Sequence, residues 1–280
     1  MGQLDKKSML CPGCRRLISS DEPSCPFCGL TNPGSPIRQG LSRFSLRDSD
    51  SVIQFIIYAN AAIFILALVL KPSEMGMSLN PFTLLSPSST SLLLLGATGT
   101  IPIDYYHRWW TILTASSLHG GILHIAFNMM ALHQLGPFVA QEYGTARFLV
   151  IYIFSGVAGF VLSYFVGIPF TLGASASVCG LIGAILYYGK SRGGYFGTAI
   201  YRQAMGWIIG LILFGLLLPG INNWAHGGGI AAGIAAGFAL GYEERRRESM
   251  PHRVAATVLA FITAGAVLFT AVQAVLIRFS

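Results

Sequence analysis

Charge is scarce in this sequence. Of 280 residues only 10% are Asp, Glu, Lys or Arg, whereas 53% are hydrophobic and the mean hydropathy is +0.62. A soluble domain carries roughly 25% charged residues, so the shortage excludes a chain that covers itself with a water-compatible surface. The sequence reads as an all-α polytopic membrane protein. Acidic residues are the scarcer sign, 11 against 18 basic, for a net charge of +7. The basic residues nonetheless stand singly between apolar stretches and form no stripe or arm that could track phosphates, which excludes nucleic acid as a partner. The segment from Met1 to Leu10 holds Asp5, Lys6 and Lys7 and lacks an apolar core. No cleavable signal peptide is expected there, and Lys6 stands where a myristoylation motif wants Ser or Thr.

What is present divides the chain in two. Up to about residue 50 it is polar and holds four of the five cysteines; beyond, it is apolar with short polar breaks. Residues 1–30 form a small module and 31–50, with an Asn-Pro-Gly-Ser-Pro run, a flexible linker. Seven apolar stretches follow, at 52–70, 118–135, 147–168, 174–189, 202–219, 225–241 and 254–277. A span takes about 20 residues, so the fourth is short. The run 92–103 is too short to cross and reads as a buried or interfacial part of a long first loop. With the N-terminus in the cytoplasm, 15 basic residues fall on the inner side and only Lys71, Arg108 and Arg278 outside. That bias supports both the span count and an orientation with the C-terminus outside.

Apart from span ends, no Asp, Glu, Lys or Arg falls within a span. The polar residues that do are therefore informative, because each is costly unless paired or functional. His119, His124 and Asn128 open the second span, Gly173-Ala174-Ser175 the fourth, and Trp224-Ala225-His226 the sixth. All three spans begin on the outer side, so a nucleophile and several imidazoles converge at one depth. Ser175 stands at a helix N-terminus, where free N–H groups favour developing negative charge. His226 is the candidate base that would activate it. Gly229, Gly233 and Gly237 share the His226 face, and Ala176, Gly180, Gly183 and Ala184 form a matching small face on the fourth span. Packing these faces brings His226 beside Ser175. His124 and Asn128, four apart on one face, can donate to an oxyanion. His119, five residues from His124, points elsewhere and receives a supporting role.

Plainer readings exist for each feature. A membrane serine commonly back-bonds to a carbonyl, a reading that suits Ser155, Ser163 and Ser177. Small-residue stripes are ordinary helix glue. A zinc site from His119, His124 and His226 is conceivable but lacks the i, i+4 histidine pair and a carboxylate.

The cysteines point to a different chemistry. Cys11-Pro-Gly-Cys14 and Cys25-Pro-Phe-Cys28 are two C-x-x-C pairs, the usual ligand set for structural zinc; rubredoxin-like iron is the other option. Some thirty residues bury too little to fold unaided, so metal is expected to control folding of this module, which could serve a cytosolic partner. Cys179, alone in the fourth span, reads as core filler.

Four ordered motifs resemble those of the rhomboid intramembrane serine proteases: H-G-G-I-L-H-I-A-F-N at 119–128, L-G-P-F-V-A-Q-E-Y-G at 135–144, G-A-S-A at 173–176 and A-H-G-G-G-I-A-A-G at 225–233. The resemblance covers about residues 52–241. It implies a six-helix core over 51–245 and an additional C-terminal helix over 246–280, in a bacterial cytoplasmic membrane. It also implies a Ser175–His226 dyad and an oxyanion hole from the Ser175 N–H, His124 and Asn128, with Gly173 and His119 in support. No catalytic cofactor is implied. The substrate class it implies is a transmembrane segment of another protein, cut near the outer surface. Two positions depart from the family pattern: Ala176 follows the nucleophile where Gly is usual, and the first-loop arginine precedes the tryptophans, as Arg108-Trp109-Trp110. The competing readings are a catalytically inactive relative that binds membrane helices as chaperone or adaptor, and a transporter, for which neither a midplane charge nor an inverted repeat is present.

Overall fold

The computed structural model describes residues 8–11, 16–35, 48–72, 84–218 and 220–279. The chain divides into two units, 1–52 and 53–280.

In the small unit, β1 (Ser8–Leu10) and β2 (Leu17–Ser19) pair antiparallel with Met9 opposite Ile18. Cys11, Ile18 and Cys25 form its buried centre, flanked by Met9 and Leu30. That is the miniature core expected of thirty residues, and two of its three buried residues are cysteines. Thr31 bridges Ser24 and Asn32 N–H donates to Pro23 O at 2.8 Å, so regular structure runs a little past residue 30. The proposed linker lies for the most part outside the described residues, as does Cys14.

All seven apolar stretches are helical. They are α1 (Ser49–Leu70), α4 (Ile122–Tyr143), α5 (Thr145–Phe165), α6 (Ser175–Arg192), α7 (Gly194–Leu217), α8 (Asn223–Leu240) and α9 (Met250–Phe279). Between α1 and α4 lie the short α2 (Ser89–Leu95), a π-helical turn at Ile101–Tyr105 and the single turn α3 (Thr111–Thr114). Five helices, α1, α4, α5, α7 and α9, are long and apolar enough to cross a membrane. The exceptions, α6 and α8, have 18 residues each and are rich in glycine and alanine. At 1.5 Å per residue they reach about 27 Å against a hydrocarbon core of about 30 Å.

The two short helices form the centre. Every residue of α6 from Ala176 to Ile185 is buried, so this helix is enclosed by protein on all sides. Its glycines explain how. A Cβ at Gly229 would lie 2.2 Å from Ala176 O, one at Gly233 2.0 Å from Gly180 O, and one at Gly183 2.2 Å from Ile230 O. The α6 and α8 backbones therefore touch directly, as the matching small faces predict. The third partner is α5, where a Cβ at Gly159 would meet Ala225 O at 2.5 Å.

The first loop is stitched to the segment that leads into α6. Thr98 and Thr171 exchange backbone hydrogen bonds of 3.0 and 2.7 Å, and Thr100 and Ile101 donate to Ile168 O and Pro169 O at 2.9 and 3.1 Å. Gly99 permits this approach: at φ +130°, a Cβ would lie 2.6 Å from Pro169 O. At the opposite end of α5, the fully buried Arg147 donates to Gly241 O at 2.8 Å and Arg246 O at 2.6 Å and pairs with Glu243. It fastens the α8–α9 connection to the start of α5.

Candidate active site

The first turns of α4, α6 and α8 supply the candidate residues. Ser175 is the first residue of α6, and no side chain caps that end. The N–H groups of its first turn have no intrahelical acceptor, so they remain available to an anion. The approach to Ser175 is rigid, because Gly173 N–H donates to Ala115 O at 2.9 Å. Gly173 itself has φ +122°, and a Cβ there would stand 2.6 Å from His124 Nε2 and 3.7 Å from Ser175 Oγ. The glycine is thus the gap that lets the His124 ring approach Ser175.

A backbone contact sets the tautomer of His124. Gly120 N–H donates to its Nδ1 at 3.2 Å, so Nδ1 is the acceptor and Nε2 carries the proton. The nitrogen facing Gly173 and Ser175 is therefore a donor. Asn128, buried, gives one amide hydrogen to His124 O at 2.8 Å and retains a second. His119 is wholly buried, and its ring meets that of His124 edge-on at 5.1 Å between centroids. The expectation that His119 points elsewhere is corrected here. The second helix begins at Ile122 rather than at 118, after Gly120 and Gly121, so His119 lies in the preceding turn and helical offsets do not govern it.

His226 is half-buried in the first turn of α8, three residues before Gly229, whose backbone touches that of Ala176. This contact sets the first turn of α8 beside the Ser175 end of α6. Among the described residues no hydrogen bond joins Ser175 to His226, and His226 Nδ1 is buried without a partner. There is accordingly no carboxylate in the role of a triad's third member. The methyl of Ala176, expected between the fourth and sixth spans, packs with Ala115, Phe160 and Ala225 and faces Gly159 of α5. The glycine in α5 makes the room that the family's glycine would have made in α6, and α8 still seats on the Ala176 carbonyl.

Residues 106–243 match the sequence profile of the Rhomboid domain. The chain belongs to the rhomboid family through this domain. It is 40% identical over 124 residues to rhomboid protease GluP of Bacillus subtilis (strain 168), covering 44% of this chain and 24% of that protein. It is 30% identical over 201 residues to RHOMBOID-like protein 4 of Arabidopsis thaliana, covering 64% of this chain and 50% of that one. Inactive RHOMBOID-like protein 8 of the same plant is 33% identical over 182 residues, covering 64% and 51%. The match therefore takes in a quarter to a half of these relatives' own length. Together with the five apolar helices, membership makes this rhomboid an integral membrane protein.

Within the rhomboid domain, one positioning residue escaped sequence reasoning. Asn222 caps α8 by accepting from Ala225 N–H at 3.0 Å, and its amide donates to Ser163 Oγ and Thr171 Oγ1, both at 2.9 Å. It ties the first turn carrying His226 to α5 and to the loop before Ser175. Its signal was legible as an Asn directly before an apolar helical run. Ser163, read as a back-bonding serine, does bond to Gly159 O at 2.9 Å and in addition receives Asn222.

The small unit brings three of the four candidate ligands together. The Sγ atoms of Cys11, Cys25 and Cys28 lie within 4.8 Å of one another, and Cys11 and Cys28 are 3.7 Å apart. Tetrahedral zinc with Zn–S of about 2.3 Å separates its sulfurs by about 3.8 Å, so the trio fits such an ion. Backbone hydrogen bonds hold two of these cysteines: Cys11 N–H donates to Arg16 O at 2.9 Å, and Cys25 N–H to Leu30 O at 2.8 Å.

Proposed function

We propose that this rhomboid is an intramembrane serine endopeptidase that cleaves transmembrane segments of other membrane proteins near the outer side of the bilayer. The observation that supports it most is the direct seating of α8 on α6 at Gly229 and Ala176, which sets the first turn bearing His226 against the one bearing Ser175. In this reading a ring nitrogen of His226 takes the Ser175 hydroxyl proton as Oγ bonds to the scissile carbonyl carbon. The negative charge passes to the carbonyl oxygen. Acceptance of that charge falls to the Ser175 N–H, the Nε2–H of His124 and the free amide hydrogen of Asn128, each such donor being worth about 10²–10³ in rate. His226 then delivers its proton to the departing amine, and water hydrolyses the acyl-enzyme by the same steps in reverse order. Gly173 admits the His124 ring and His119 braces it. The absence of a standing Ser175–His226 hydrogen bond is compatible with this chemistry, because such contacts are often loose before substrate binds. A helical carbonyl is already hydrogen-bonded, so substrates with small or helix-breaking residues are favoured.

The accompanying orientation places the N-terminus in the cytoplasm and the C-terminus outside, in a bacterial cytoplasmic membrane. The amino-terminal module is a zinc ribbon held by Cys11, Cys14, Cys25 and Cys28, where zinc is structural and no catalytic step depends on it. The module offers a surface to a cytosolic partner. Cleavage of a transmembrane reporter by the purified full chain, against Ser175→Ala and His226→Ala, tests the enzyme reading. Product from wild type and from neither variant is expected. Identical patterns from all three would leave the other reading, an inactive member that binds membrane helices, as Inactive RHOMBOID-like protein 8 is named inactive.

A further inference from the structure

A groove of about 260 Å³ lies between the first loop and the last helix, α9, outside the site described above. Leu93, Leu94 and Ile277 give it apolar walls; Arg108, Trp110 and Gln273 give it a polar side. Arg108 is nine-tenths buried. Its guanidinium donates to Leu93 O at 2.5 Å and Leu94 O at 2.9 Å, and reaches Gln273 Oε1 at a long 3.4 Å. All three acceptors are neutral, and among the described residues no carboxylate pairs with it. Its Nε and the indole Nε1 of Trp110 are both buried donors without an acceptor. A buried guanidinium with neutral neighbours and two idle N–H groups is costly unless an anion completes it.

The position of the groove bears on which anion it takes. Gln273 stands six residues before Phe279 at the end of α9, about 9 Å along the axis, so the groove lies toward the helix end, where a span meets the interfacial layer. Arg278 closes this end by donating from Nε to Leu70 O at 2.9 Å. Trp110 is an interfacial residue type, and Tyr106, also at the groove, is 56% exposed. Guanidinium matches phosphate in geometry.

From these observations we infer that the groove is a binding site for the phosphodiester of an anionic phospholipid, with Arg108 as its cation and Gln273 and Trp110 as flanking donors. The 3.4 Å contact to Gln273 is the one a phosphate oxygen displaces, turning the Gln273 amide from acceptor to donor. The apolar walls receive the start of the acyl chains. A bound lipid would join α9 to the first loop, alongside the existing edge-on contact of Trp110 with Phe269 at 5.6 Å.

The test uses the delipidated full chain in a neutral detergent, with binding read by native mass spectrometry and by thermal unfolding. Phosphatidylglycerol is expected to remain bound and to raise the unfolding temperature, and phosphatidylcholine, whose phosphodiester is offset by its own quaternary ammonium beside the Arg108 cation, to do so much less. Gln273→Met and Trp110→Phe leave the carbonyl contacts of Arg108 in place, so neither depends on a variant that fails to fold. Each is expected to weaken phosphatidylglycerol by up to about tenfold, the value of one hydrogen bond. Equal effects of the two lipids, or equal binding by wild type and both variants, would overturn the site. Protection by inorganic phosphate that matches phosphatidylglycerol would show a free-anion site and overturn the lipid assignment.

Discussion

Substituting Gly233 by alanine tests whether direct backbone contact between α6 and α8 is what sets the candidate dyad. The added Cβ would lie 2.0 Å from Gly180 O and 2.6 Å from its carbonyl carbon. Those are backbone atoms of an enclosed helix, and no side chain can rotate away. A carbon next to a carbonyl oxygen normally stays about 3.3 Å away, so the helices must part by about 1.3 Å. Overpacking of this kind costs about 1–3 kcal/mol, while the helix propensity of alanine over glycine returns about 0.8–1.0 kcal/mol. The net loss of stability is therefore small. The effect on rate is not, because a misplacement of about 1 Å can cost 10²-fold. Gly233→Ala is expected to fold, to unfold within a few degrees of wild type, and to cleave a transmembrane reporter about a hundredfold more slowly. Gly210→Ala, where a Cβ meets nothing within 4 Å, is the control and is expected to keep full activity. Wild-type cleavage by Gly233→Ala would refute the claim that this contact holds the site, even if Ser175→Ala remains inactive.

Other outcomes follow from the same geometry. Gly173→Ala puts a Cβ 2.6 Å from His124 Nε2 at φ +122°; activity should fall at least 10²-fold, the worth of one oxyanion donor, with little change in lipid binding. Asn222→Ala removes a helix cap and two further bonds; a loss of about 1–2 kcal/mol in unfolding free energy is expected, with a lower rate because the first turn of α8 loosens. Arg147→Met removes the donor to three carbonyls and to the partly exposed Glu243; leaving buried acceptors unmet costs about 1–3 kcal/mol, and chemical denaturation would report it. Elemental analysis should find about one zinc per chain, lost in a Cys25→Ser variant, and chelation should abolish the fold of the small unit while leaving the α-helical signal of α1–α9 intact.

Much of this arrangement was legible because membranes simplify the code. Apolar runs located all seven long helices, and the paired glycine faces of α6 and α8 foretold their contact, since only residues without side-chain bulk allow it. The candidate residues were legible for the same reason: any imidazole among so few polar groups stands out. The details that escaped depend on backbone geometry away from regular helices. His119 was misjudged because periodicity says nothing about a turn before a helix. The tautomer of His124 rests on a backbone N–H from Gly120, and the space for Ala176 rests on Gly159, fifteen or more residues away in another helix. The pairing of residues 98–101 with 168–171 has no periodic signature at all, and the groove beside Arg108 appears only once α9 is laid against the first loop.

That pairing also limits how such proteins can be recombined. The strand-like seam fixes the register of the segment before Ser175 by the register of a loop some seventy residues earlier in the chain, and neither partner has a regular element of its own to fall back on. A chimera that imports one edge of the seam from a relative while keeping the other inherits two threads cut to different lengths. Grafts should move both edges together, or Ser175 will arrive out of step with His226.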